Sequence, residues 1–408
     1  MKFTKLDITK NRFEFIALAA LVMALNALAI DIMLPALPAI GDAVAVVSEN
    51  HRQYVITSFL IGFGVSQLFF GPLCDAFGRR RTFFVGVTIY IVAALLGAGA
   101  DSFTALITMR VIQGIGAGAT RVVALSMVRD SFGGRAMAEV MSLIMMVFMV
   151  MPVLAPAFGQ VIILVGPWQW IFFTMAIIAM FAMFWVATRL PETLKPENRR
   201  AFRPSVILQG FGIVFSNRSA LMYGLANMVK IGALFGFLAA SQQIYGELYE
   251  LGALFPVAFA LIAMAMASAS FFNAKFVGRL GMRLLSHSAL IGFVGLSAVW
   301  TIFAYFDALP LWLFIALQAP IMFLFGLTGT NFNSLAMEPL GNVAGTAASV
   351  FGFMQTAGGA LLGTIIGQSY NGTVLPIAFG YLVFGSISLV FVLIAENGTL
   401  FQAQHEAI

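Results

Sequence analysis

Residues 71–81 read Gly-Pro-Leu-Cys-Asp-Ala-Phe-Gly-Arg-Arg-Arg, and residues 276–283 read Phe-Val-Gly-Arg-Leu-Gly-Met-Arg. Gly78 of the first stretch falls on Gly281 of the second, and Arg80 on Arg283, a constant offset of 203 residues (281 less 78). Each stretch is short, basic and bordered on both sides by apolar runs. Equivalent loops in two halves of a chain are the mark of a duplicated membrane transporter, with its site between the halves near the bilayer midplane.

Composition agrees. Hydrophobic residues make up 61% of the 408 and charged residues only 10%, whereas a soluble domain carries about 25% charged residues to keep its surface in water. The net charge of +5 is no nucleic-acid footprint, because the charges sit in clusters between apolar runs, as in loops flanking membrane spans. Cys74 is the single cysteine, so no intrachain disulfide forms, and His51, His287 and His405 have no metal-ligand spacing. HExxH, GxSxG, Walker A and dinucleotide motifs are absent, which argues against a membrane protease, an ATP-driven pump or a redox enzyme. No metal and no cofactor are expected.

A span needs about 20 mostly apolar residues. Such runs fall at 13–35, 52–72, 83–100, 103–128, 138–164 and 168–188, then at 219–244, 251–274, 285–305, 310–335, 344–371 and 374–395. The first run follows Lys2, Lys5, Lys10 and Arg12 and resembles a secretory signal. Cleavage there would leave an odd number of spans and break the repeat, so we read it as the first span. The one long polar connection, 189–218, divides an N-terminal six-helix half (1–188) from a C-terminal one (219–408). Of the 22 Lys and Arg, Arg52 alone lies in an outer loop, and Arg110, Arg121 and Lys230 lie within spans, if both termini are cytoplasmic. The remainder then fall on the inner side, as the positive-inside rule requires.

The 71–81 stretch resembles the signature loop of the major facilitator superfamily, Gly-x-Leu-x-Asp-x-x-Gly-Arg-Arg, at the place the family has it. Arg110-Val-Ile-Gln-Gly-Ile-Gly-Ala-Gly118 on span 4 resembles the family's second motif, and Pro152-Val-Leu-Ala-Pro-Ala-Phe-Gly159 on span 5 its antiporter motif. Asp31-Ile-Met-Leu-Pro-Ala-Leu-Pro38, Leu190-Pro-Glu-Thr-Leu194 and Ala344-Gly-Thr-Ala-Ala-Ser349 are similar to the bicyclomycin-resistance (Bcr/CflA) subgroup of drug:proton antiporters. Two departures stand out: Gln160 where the subgroup has a second glycine, and Gln242-Gln243 before Ile244-Tyr245 where it often has an apolar Pro-Phe pair. The second points to a more polar ligand. The resemblance implies an all-α integral membrane fold of twelve transmembrane helices in two pseudo-symmetric halves. It also implies a multi-pass protein of the bacterial inner membrane, working as a monomer. Gating of the conformational cycle would fall to Gly71, Asp75, Gly78 and Arg79 in the loop and to Pro152, Pro156 and Gly159 on span 5.

The charged residues within spans narrow the chemistry. Asp31 is the only carboxylate deep in a span. Ionising it in hydrocarbon costs several kcal/mol, so it suits a group that cycles a proton. Arg110 lies at matching depth on span 4, about 12 Å below its outer end at 1.5 Å per residue, and is assigned with Asp31 to proton coupling. It is also open to a purely structural reading, bonded to backbone carbonyls. Arg121 follows eleven residues later, within about 20° of the same helix face. Lys230 sits near mid-membrane on span 7 with Asn227 one turn before it, and Gln113 and Gln355 are further hydrogen-bonders within spans. We assign Arg121, Lys230, Gln113, Asn227 and Gln355 to the substrate cavity. Three cations against one carboxylate favour an anionic or zwitterionic cargo, or one rich in acceptors, over a simple lipophilic cation.

The reading that follows is a proton-coupled secondary transporter exporting small organic compounds or drugs by alternating access, with small molecules, protons and the bilayer as partners and no nucleic acid. A second reading keeps the fold and moves an anionic metabolite or siderophore by antiport or symport. A third, a membrane-embedded lipid enzyme, needs a nucleophile or metal cluster at interfacial depth, and the sequence offers none.

Overall fold

A backbone in hydrocarbon must satisfy its own polar groups, and the apolar runs do so as helices. The structure, a computed structural model, describes residues 11–195, 197, 199 and 204–401. Among them lie eleven helical stretches long and apolar enough to cross a membrane. One of these, Leu311–Gln368, is 58 residues long, whereas about 20 residues suffice to cross. It is two spans, parted at the turn Glu338–Val343, where Leu340 leaves helical geometry at φ −113° and ψ 22°. The expected twelve spans are borne out.

Contacts divide the chain between Ile207 and Leu208 into two units. The first holds α1 (Arg12–Asp31), α2 (Leu37–Ala43), α3 (Tyr54–Phe77), α4 (Arg79–Ala98), α5 (Phe103–Ser131), α6 (Gly134–Val165) and α7 (Gln169–Arg189). Helix α8 (Pro204–Ser216) runs across the division, and the second unit holds α9 (Arg218–Gln242), α10 (Phe255–Leu280), α11 (Met282–Tyr305), α12 (Leu311–Met337), α13 (Ala344–Phe353), α14 (Gly359–Gln368) and α15 (Leu375–Ala395). The 189–218 connection is therefore not polar loop throughout, since α8 occupies its second part.

Internal packing repeats between the units. In the first, α5 packs on α3 and α4, and α1 on α6 and α7; in the second, α12 packs on α10 and α11, and α9 on α14 and α15. The loops at 71–81 and 276–283 repeat down to the backbone. Gly78 and Gly281 each join two spans with positive φ, +97° and +79°, a conformation open to glycine and costly for other residues. Helices α3 and α5 approach closely because Gly62 on α3 and Gly114 on α5 each face the other's backbone. A Cβ on Gly62 would lie 2.1 Å from the Val111 carbonyl oxygen, and one on Gly114 2.1 Å from that of Phe59.

Candidate transport site

Helix α1 stops at Asp31 for a local reason. Pro35 and Pro38 follow, each lacking an amide donor, and the chain runs through a 3₁₀ turn, Leu34–Ala36, before α2 begins. Asp31 is buried, at 4% exposure, and among the described residues its carboxylate has neither a hydrogen bond nor an ion pair. Helix α6 closes on this break through its own motif. Gly159 is buried against it, and a Cβ there would lie 2.2 Å from the Ile32 carbonyl oxygen and 2.9 Å from Pro35 Cγ. Pro152 and Pro156, inside the same helix, remove two amide donors one turn apart.

Arg110 is fully buried. It donates from Nε to the Val55 carbonyl (2.9 Å), from Nη2 to the Ala29 carbonyl (2.8 Å) and from Nη1 to Gln113 Oε1 (2.7 Å). Its guanidinium also lies 4.6 Å from the centre of the Phe59 ring. One side chain thus ties α5 to α1, two residues before Asp31, and to α3. The fork geometry of arginine suits this role. Gln113, in turn, turns its Nε2 to Met175 Sδ (3.8 Å). Arg121 reaches the same neighbour, donating to Gln67 Oε1 (3.3 Å) and lying over Phe63, so both guanidiniums leave one stripe of α5 towards α3. A pair that the sequence reading did not single out, Asn26 and Thr120 (3.0 Å), links α1 to α5 one and a half turns from Asp31. Periodicity does not single it out, since Asn26 lies about 140° around α1 from Asp31 and Thr120 about 80° around α5 from Arg110.

In the second unit Lys230 is also fully buried. Its ammonium donates to the Phe325 carbonyl (3.1 Å) and to Thr328 Oγ1 and lies 4.4 Å and 5.3 Å from the ring centres of Phe325 and Phe332. No carboxylate pairs with it among the described residues. Asn227 is buried beside it, with an Oδ1 that meets no donor. Gln355 sits in a π-helical turn, Met354–Gly358, and donates to Asn333 Oδ1 (3.2 Å).

The signature loop forms a network inside the first unit. Arg79 donates to Asp75 (2.6 Å) and to both oxygens of Asp130 (2.8 and 3.3 Å). Gly71 lies on α3 upstream of it, and Gly78 makes the turn. Glu192, from the Leu190–Leu194 motif, accepts from the amides of Arg79 (2.9 Å) and Arg80 (3.2 Å). A carboxylate on the first free amides of α4 complements the positive end of the helix dipole. Within this unit Asp75 bonds the Arg79 side chain, and it is Glu192 that meets helix amides. The second unit has a counterpart, because Arg283 donates to Glu396 (2.8 Å), just beyond α15. Glu396 also accepts from Tyr223 (2.6 Å). The sequence signal for Glu192 and Glu396 was their shared place after the last span of each half.

The family model described as the Major Facilitator Superfamily matches residues 19–364. The chain belongs to the major facilitator superfamily. It is 30% identical over 395 residues to a "Bicyclomycin resistance protein homolog" of Haemophilus influenzae, covering 95% of this chain and 98% of that one. It is 28% identical over 359 residues to "Multidrug resistance protein D" of Escherichia coli, covering 87% and 89%. Among solved structures, a D-xylose-proton symporter superposes with a TM-score of 0.76 at 14% identity, covering 94% of this chain and 97% of that one. The fold and the family resemblance expected from the sequence are borne out, and the chain is a multi-pass membrane transporter of small molecules.

Proposed function

We propose that this transporter exports small organic compounds, drugs among them, in exchange for protons, with Asp31 as the proton carrier. The observation that carries the reading is Asp31 itself: a buried carboxylate at a helix break, unpaired among the described residues. Arg110, the cation at matching depth in the sequence, is engaged through each of its three nitrogens by two backbone carbonyls and Gln113. A carboxylate without a fixed cation gains or loses its proton as access alternates, which a permanent ion pair would prevent. Protonation from outside favours release of the cargo, and deprotonation inside readies the site for the next molecule. The names of the two relatives support a drug as cargo. The lysines and arginines of the loops support an inner-membrane protein with both termini cytoplasmic. It is read as a monomer and as a carrier rather than an enzyme, with gating by Asp75, Arg79, Gly159 and the two prolines of α6.

In proteoliposomes holding a pH gradient, addition of bicyclomycin is expected to move protons with wild-type protein and not with Asp31→Asn. Proton movement in the mutant equal to the wild type would end the assignment. A second reading, an anionic metabolite as cargo, is favoured by Lys230, which no carboxylate neutralises among the described residues.

A further inference from the structure

Lys230 has three N–H donors, and two are spent on Phe325 and Thr328. Two aromatic faces hold the ammonium in place, so the third donor has a defined direction. Asn227 Oδ1 is a buried acceptor with no donor. A buried acceptor left unmet in a native protein calls for an explanation, such as a water or a ligand. Gly329 brings the two together. A Cβ placed on it would lie 3.4 Å from Lys230 Nζ and 4.0 Å from Asn227 Oδ1, and would touch nothing else within 4 Å. The missing side chain therefore leaves a small space flanked by one free donor and one free acceptor. Gly329 is partly exposed, while Lys230 and Asn227 are buried, so the space opens past the glycine.

We propose that Lys230, Asn227 and Gly329 form a recognition point for a neutral group that both accepts and donates a hydrogen bond, such as an amide or a hydroxyl of the cargo. A carboxylate would satisfy Lys230 and leave Asn227 facing a second acceptor. An ammonium would satisfy Asn227 and repel Lys230. The amide or hydroxyl satisfies both, which sets this inference against the anionic cargo that the charge of Lys230 alone would favour. The inference rests on the transport reading only in taking this group to belong to cargo. Binding to purified protein without a pH gradient tests it apart from the proton role of Asp31.

The test is saturation-transfer NMR on the full chain in detergent, with benzamide, benzoate and benzylammonium as probes. Wild type is expected to bind benzamide best. Asn227→Leu should weaken benzamide by about tenfold and leave benzoate unchanged, the scale of one hydrogen bond. Gly329→Ala fills the space with contacts no shorter than van der Waals distance, so it should keep the melting temperature and abolish benzamide binding. Benzoate binding as well as benzamide, or benzamide binding unchanged in Gly329→Ala, would overturn the proposal. So would no binding of any probe, which would mean that a resident water fills the space.

Discussion

Arg110 and Lys230 look alike in the sequence, each a cation within an apolar run, and the structure makes them opposites. Arg110 has carbonyl or amide oxygens on all three of its nitrogens, and these acceptors come from three helices. Lys230 is bound to a single helix, α12, keeps one donor spare and has an unmet acceptor beside it. A cation tied to several helices holds them together, whereas one tied to a single helix beside an unmet acceptor can meet a guest. The distinction lies in what each cation is tied to rather than in burial, since both are 0% exposed.

The comparison breaks first at Arg110. Arg110→Lys keeps the charge and loses the fork, leaving buried oxygens without donors at a cost of about 1–3 kcal/mol each. We expect a large drop in melting temperature in detergent, and a wild-type melting curve would show that the clamp is not structural. Gly159→Ala should be nearly as damaging to transport, because its methyl would meet the Ile32 carbonyl at 2.2 Å and push α6 away from the break beside Asp31. Full transport by this variant would mean that α6 and α1 need not approach there. Lys230→Met should leave the protein folded and weaken ligands bearing an acceptor by about 1.5–3 kcal/mol. Equal loss for cationic and acceptor-bearing ligands in a binding assay would make Lys230 another structural cation and erase the contrast. The smallest effect is expected from Glu192→Gln, which keeps an acceptor on the Arg79 and Arg80 amides and removes the charge facing the helix dipole, about 0.3–1 kcal/mol. A melting temperature lowered as far as by Arg110→Lys would show that the loop network, and not the arginine clamp, holds the first unit.

Much of this was legible in the sequence. Twelve spans follow from apolar runs of sufficient length, and Asp31 stood out because no other carboxylate lies deep in one. Helix α8 was not legible, because charge and proline around Leu190–Pro204 masked its short apolar run. The roles of Arg110 and Lys230 stayed open for a different reason. Their acceptors are chiefly backbone carbonyls, 55 and 81 residues away for Arg110 and 95 for Lys230, and every residue carries a carbonyl. Glu192 was visible as part of a motif, but its partners lie 112 and 113 residues earlier. The hole above Gly329 is set by what a neighbouring helix presents to it, which no pattern along one chain reveals.

The central claim, that Asp31 carries the coupled proton, is tested most directly by proton release in weakly buffered detergent solution. Adding bicyclomycin to purified wild-type protein at a pH where Asp31 is protonated should acidify the solution as the cargo displaces the proton. Asp31→Asn should bind the same compound without acidification. Equal proton release by the two proteins would contradict the account.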